Sequence, residues 1–373
     1  MIEIREVKTK KEQKDFLNFP LELYKNCPYY VPSLMMDEKK IFKKNYVYNE
    51  TCDVIFFNAY LDGKVVGRIS GIIQRASNEK WKQSRVRFTR FDSINNKEVS
   101  RALFDAVTVW AKNNGIKEIV GPLGYSDLER EGLLIYGFDQ LGTYEEQYNY
   151  DYYQELVEDY GFTKDVDWIE RQLFIPKERD EKFHQLIEHL LDRYKLRIYR
   201  PKSINELIKH HLHEFFKILD LSYSGIYGTV PFTDKMVKMM VSNFKMIVRP
   251  TDVCIVYNEK NEAKGFAIMF PSISEAVMKH KGKLTPGFLI DFLKAKKNPK
   301  VIDLGLIGVD PEYESKGVAS VIIGFLIDEY RNKNIHHFET NLMLEDNYHI
   351  QNLNKRFDKV ENKRRRCYIK TIE

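Results

Sequence analysis

Cysteine is scarce: the 373-residue chain has four, Cys27, Cys52, Cys254 and Cys367. They stand far apart and form no CxxC pair or Cys/His cluster, so the sequence offers neither a zinc site nor a disulfide framework and fits a reducing compartment. Long apolar runs are missing as well. The opening MIEIREVKTKKEQ has no apolar signal-peptide core, and the longest uninterrupted apolar stretches, such as VIIGFLI, fall far short of a membrane span. A cytoplasmic protein without membrane contact is the expectation. Nor does one sign of charge dominate. The 59 basic and 54 acidic residues are interspersed, and the net +5 reads as a solvated surface rather than a nucleic-acid footprint. The densest basic run, Lys363 to Arg366, falls in a terminal strand pattern with Cys367, Tyr368 and Ile369 and is expected at an exposed strand edge.

What is present suffices for a core. Hydrophobic residues make up 43% and aromatic residues 13%, which excludes the disordered class, and the length suits two domains. The same order of elements runs through the chain twice. In the first half Val54 to Tyr60 reads as a strand, Asp62-Gly63 as a two-residue turn and Val65 to Ile73 as the returning strand. Val253 to Tyr257, the polar NEKNEAK and Gly265 to Phe270 repeat it in the second half. Each hairpin follows a short strand and a helical stretch. Each precedes a strand, an amphipathic helix and a further strand: VRFTRFD, VSRALFDAVTVWAKNNG and IKEIVGP, then VIDLGLIGV, VASVIIGFLIDEYRNKN and HFETNLM. The pattern predicts an α/β protein of two tandem domains, 1–178 and 179–373, joined where WIERQLFIP gives way to the charged helix EKFHQLIEHLLDRY.

The turn after the second-half strand spells Val309-Asp310-Pro311-Glu312-Tyr313-Glu314-Ser315-Lys316-Gly317-Val318-Ala319. A proline-broken loop leads through a glycine into a helix whose Val318, Val321, Ile322, Phe325 and Leu326 share one stripe. Free N–H groups at a helix start, together with the helix dipole, can converge on a pyrophosphate. Gly317 leaves room for close approach, Val318, Ala319 and Ser320 present the amides, and Lys316 adds a point charge. The corresponding first-half turn, FDSINNKEVSRAL, has no glycine, so one such site per chain is expected.

With the element order, Val309, Pro311, Gly317 and Ala319 make the chain resemble the acetyl-CoA-dependent N-acetyltransferase superfamily, the GNAT fold, as a tandem pair over most of its length. Glu314 stands where that family prefers Gln or Arg. The resemblance implies two α/β (α+β) domains, each a mixed, mostly antiparallel sheet flanked by helices. It implies acetyl-CoA as co-substrate, no metal, and a small-molecule or peptidic amine as acceptor. It places Ile307, Val309, Lys316, Gly317, Val318, Ala319, Ser320 and Asn347 at the cofactor. Eleven residues ahead of Glu314 it puts the proton acceptor at Asp303, an acid in an otherwise apolar strand, which equally suits an exposed strand start. Of the family's helix bearing the thiolate-protonating Tyr, the second half keeps Asn347 but has Asn354 at the Tyr position and Asp358-Lys359 in place of Gly-Phe. Tyr348, or His349, is then the candidate acid. The first half retains that helix end as Tyr160-Gly161-Phe162.

Two segments stand outside the repeat. Gly121 to Tyr153 combines Asp127, Glu129, Glu131, Asp139, Glu145 and Glu146 with Tyr125, Tyr136, Tyr144, Tyr148 and Tyr150, which suits either a cationic amine or a packed domain interface. SISEAVMKHKGKLTPGFLIDFLKAKKNPK separates the second hairpin from the strand of Asp303 and is placed to cap one of the two substrate clefts. An N-acyltransferase is the leading reading. A tandem aminoacyl transferase using aminoacyl-tRNA has no need of the Gly317 loop, and a non-catalytic acyl-CoA sensor would fit Glu314 and Asn354.

Overall fold

The structure is a computed structural model that describes residues 1–372, with the backbone alone for His349. The first half runs β1 (Ile2–Glu6), α1 (Lys10–Leu23), α2 (Met35–Glu38), β2 (Cys52–Leu61), β3 (Lys64–Gln74), α3 (Arg75–Trp81), β4 (Arg85–Ser93), α4 (Lys97–Asn113), β5 (Glu118–Gly121), β6 (Leu133–Tyr136), α5 (Tyr152–Asp159) and β7 (Thr163–Phe174). The second runs α6 (Glu181–Arg193), β8 (Arg197–Tyr199), α7 (Ile204–His210), α8 (Leu212–Tyr223), α9 (Asp234–Ile247), β9 (Val253–Tyr257), β10 (Ala263–Pro271), α10 (Ser274–Lys279), α11 (Pro286–Lys297), β11 (Val301–Val309), α12 (Val318–Tyr330), β12 (His337–Thr340), β13 (Met343–Leu344), α13 (Tyr348–Leu353) and β14 (Asp358–Thr371).

The strands form one sheet in the order β1-β2-β3-β4-β5-β14-β7-β12-β11-β10-β9-β8, with β6 against β14 and β13 against β7. Only β4–β5 and β11–β12 pair in parallel; every other pairing is antiparallel. The order is symmetric about the β14–β7 contact. Each half gives its last strand to the other, so that β14 pairs with β5 of the first half and β7 pairs with β12 of the second. Helices cover both faces. The helix α4 closes the first-half core on Leu103, Phe104 and Val107, and α12, buried along nearly its whole length, is clamped between the sheet and α6.

The basic run at Lys363 to Arg366 is not at an edge. It lies in β14, in the middle of the sheet, where the amphipathic length of the strand is paired on both sides. Lys363 and Arg365 point to one buried face. There the Lys363 Nζ stands 3.1 Å from Glu170 Oε2 and 3.3 Å from Glu339 Oε2, and Arg365 Nε 2.5 Å from Glu170 Oε1. Arg366 forks onto Asp167 at 2.8 and 3.0 Å, and Arg364 donates to Glu361. Carboxylates on β7 and β12 supply the countercharge that lets a cationic strand sit in the interior.

Candidate active site

β11 and β12 are hydrogen-bonded only from Val301–Leu304 against His337–Thr340. Beyond Leu304 they part. A bulge at Gly305, where Ile268 and Met269 of β10 face Leu306 and Leu304, bends β11, while β12 ends and the chain crosses to β13 against β7. The β12-facing edge of β11 is thereby left unpaired by any strand from Gly305 to Val309. The Tyr223 hydroxyl donates to the Ile307 carbonyl at 3.1 Å.

A cavity of about 790 Å³ opens at this parting, within the usual size of a small-molecule site. Ile307, Val309 and Ala319 line it, with Asn347 across the gap. Its two long walls differ in character. The second half contributes Met236, Met239, Met240 and Phe244 of α9 and Phe288 and Phe292 of α11; the first half contributes Arg68, Arg90, Glu129, Glu131, Glu145 and Glu146. One side is apolar and the other ionisable.

The start of α12 lies at one end of this space. Gly317 closes a 3-10 turn over Pro311–Lys316 in the left-handed region, with φ +76°, and a Cβ there would stand 2.6 Å from Leu190 Cδ1 of α6. No side chain caps α12. The equivalent helix in the first half is closed to an anion: Asn96 Oδ1 accepts from the amides of Glu98 at 2.9 Å and Val99 at 3.1 Å. Beside the open turn, Lys316 Nζ sits 3.7 Å from the centre of the Tyr313 ring, which Lys264 also faces at 4.9 Å. Lys264 is paired with Asp310 at 3.1 Å, whereas Glu314 is exposed at the cavity wall. An uncapped helix start, the Lys316 cation and a glycine in the left-handed region fit a diphosphate-bearing ligand.

Asp303 is buried one residue behind the wall, opposite Phe270 on β10 and Glu339 on β12. Neither of its oxygens has a hydrogen-bond partner. Burial, with the Glu339 carboxylate beside it, pushes its pKa up to about 7. Glu145, which does line the cavity, is pushed up to about 8 by burial and by the charges of Asp303 and Glu146, and burial raises Glu131 well above the ordinary range. Glu38 goes the other way. Its burial is outweighed by the Arg90 guanidinium, 3.0 Å away, and its pKa falls to about 2. Glu339 is likewise held at about 2 against its burial, by His337 and Lys363.

Tyr348 does not join this group. Its side chain is 70% exposed, because α13 turns Asn347, Ile350, Leu353 and Asn354 toward the cavity instead. Asn347 Oδ1 caps α13 by accepting from the Ile350 amide at 3.2 Å. The side chain of His349 lies outside the described residues. Tyr160 is tied to α4 through Thr108 and Asp105, away from the cavity. Sequence reasoning passed over α9, although Met236, Met240, Phe244 and Ile247 recur at helical spacing after the cap Thr233.

No family model matches the chain. "Protein YghO" of Escherichia coli strain K12 is 26% identical over 382 residues, spanning 99% of this chain and 95% of its own. "Bacterial ceramide synthase" of Caulobacter vibrioides is 26% identical over 321 residues, 83% of this chain and 80% of its own. A solved "tandem GNAT protein from the clavulanic acid biosynthesis pathway" superposes with a TM-score of 0.56 at 10% identity, covering 100% of this chain and 99% of that one. The chain has the tandem GNAT fold. In that fold the strands part in both halves, since β4 also leaves β5 beyond Arg87, whereas the uncapped helix start belongs to the second half.

Proposed function

We propose that the protein is an acyl-CoA-dependent N-acyltransferase with one donor site, in the second half, whose acceptor is an amine bearing a long alkyl chain. The observation that carries this is the pairing of an uncapped helix start with a cavity that is ionisable on one wall and apolar on the other. When bound, an acyl-CoA supplies the activated thioester carbonyl. The amides of Val318, Ala319 and Ser320, with Lys316, hold its diphosphate, and the free edge of β11 guides the pantetheine arm into the gap. The amine's proton goes to the coupled acids Asp303 and Glu145, whose raised pKa values suit a base acting near neutrality. A new N–C bond forms as the C–S bond breaks, and water at the exposed rim protonates the leaving thiolate, since Tyr348 lies outside the cavity.

A ceramide is an N-acylated long-chain amino alcohol, so the ceramide synthase relative supports the same reading of the apolar wall. Whether the transferred group is acetyl or longer follows from which donor binds. Calorimetry with acetyl-CoA and palmitoyl-CoA, followed by CoA release in the presence of a sphingoid base, tests the proposal. Donor binding and turnover with the long-chain amine, but not with a short analogue, support it. Binding without turnover points to an acyl-CoA sensor, which the exposed Tyr348 and the Glu314 carboxylate favour; no binding removes both.

A further inference from the structure

The rim of the cavity carries an apolar surface of its own. Met36, Met246, Leu284 and Leu289 both line the cavity and are strongly exposed, which places them at its opening. On the same helix as Leu289, Ile290 and Leu293 are 55% and 60% exposed. Six of the 14 large hydrophobic side chains strongly exposed among the described residues therefore lie at the cavity's opening or on α11 beside it, whereas scattered single residues need no partner. The face is built, not frayed. Thr285 caps α11, Pro286 starts it, and Phe288 anchors it into a core shared with Ile273 and Val277 of the second half and Val31 and Leu34 of the first.

Positive charge surrounds it. Lys281 and Lys283 precede the helix, Lys294 and Lys297 close it, and all four are exposed and without a carboxylate within ion-pair distance among the described residues. The acid of the helix, Asp291, is taken up by Lys279 at 2.8 Å and His280 at 2.9 Å. Exposed apolar side chains on a helix flanked at both ends by free lysines are complementary to one surface above others: apolar chains below anionic phosphates.

We propose that this face seats on an anionic lipid bilayer, with α11 in the interfacial plane, Leu289, Ile290 and Leu293 among the acyl chains and the lysines at the phosphates. Contact is peripheral, because no helix among the described residues is long and apolar enough to cross a membrane. The mouth of the cavity then opens onto lipid, and a chain-bearing substrate moves from bilayer to site without passing through water. That last consequence rests on the N-acyltransferase reading; the docking does not.

The test is sedimentation of the full chain with phosphatidylcholine vesicles, with and without phosphatidylglycerol, at low salt. The expected result is partitioning onto the anionic vesicles about tenfold or more above the neutral ones, falling as salt is added. The double variant Ile290→Asp/Leu293→Asp, whose side chains are outside the cavity lining, should lose about tenfold of that binding while keeping its helix content and its heat of acyl-CoA binding. The loop variant Lys281→Glu/Lys283→Glu should lose the preference for anionic lipid. A parent chain that stays in the supernatant, equal partitioning onto both vesicles, or variants that sediment like the parent overturn the proposal. Failure of the calorimetric titration would instead remove the acyltransferase reading and leave the docking standing.

Discussion

At the scale of single residues, the site is defined by acids kept without partners. The Asp303 pKa is pushed up to about 7 because burial, aided by the Glu339 carboxylate, outweighs the Ser272 hydroxyl and the Lys363 charge. The folded state thus binds that proton more tightly than the unfolded chain, where an aspartate titrates near 3.9. Its contribution to stability is full below about pH 4 and is lost as pH rises through about 7. Asp303→Asn should therefore raise the melting temperature more at about pH 8 than at about pH 4, while turnover, which needs the ionised base, falls about 10²- to 10⁴-fold. In the parent, kcat/KM should rise with pH and level off above about 7. A variant that gains stability at high pH but keeps its turnover would make Asp303 a buried acid without a catalytic part. Asp303 could be picked out in the sequence as an acid inside an apolar strand. Glu145 could not be singled out from the other acids of its segment, because the charge of Asp303 that helps raise its pKa reaches it only across the junction of the halves.

At the scale of elements, α12 and α4 occupy equivalent places and differ in the residue that enters them. Gly317 enters α12 with φ +76° and caps nothing, whereas Asn96 enters α4 and consumes two amides. Gly317→Ala should lose about 1–2 kcal/mol of stability from the left-handed backbone, with added crowding against Leu190, and should weaken acyl-CoA binding in calorimetry. Asn96→Ala should cost about 1 kcal/mol and leave that binding unchanged. Equal effects of the two on the titration would mean that the helix start is not the donor site. The glycine, the V-x-P and the apolar period made this element readable in advance, as they did the hairpins, whose strands run within a few residues of their expected bounds. The helix α9 was hidden by its position in a segment with no counterpart in the first half, and Tyr348 by a rotation of α13 that local spacing does not fix. The expectation of no membrane contact was framed on spans and did not weigh the exposed Leu, Ile and Lys of α11, a short helix that the proposed docking lays on a bilayer without crossing it.

At the scale of the whole molecule, the two halves are locked by what they exchange. We propose 1–178 and 179–373 as the repeat units, each completed by the other's last strand. Sequence order shows the repeat but not the exchange, since β7 and β14 have the same local pattern whichever sheet receives them. For the same reason the basic run looked like an edge: the carboxylates that neutralise it, Glu170 and Glu339, lie 193 and 24 positions from Lys363 in the chain and meet it only across β7 and β12. Lys363 is the centre of that seam, only 1% exposed between the two carboxylates. Replacing it by methionine would take a buried partner from both, leaving Glu170 to Arg365 and Glu339 to His337, at a cost of about 3–5 kcal/mol. Because β14 is hydrogen-bonded to β5 and β7 is hydrogen-bonded to β12, that loss cannot be confined to one half. Calorimetry of Lys363→Met should show one transition, moved down as a unit, and 1–178 made without 179–373 should lack a cooperative transition. Two resolved transitions of which only the second-half one moves, or a separately folded 1–178, would mean that the halves are ordinary neighbours and that the seam contributes to only one of them.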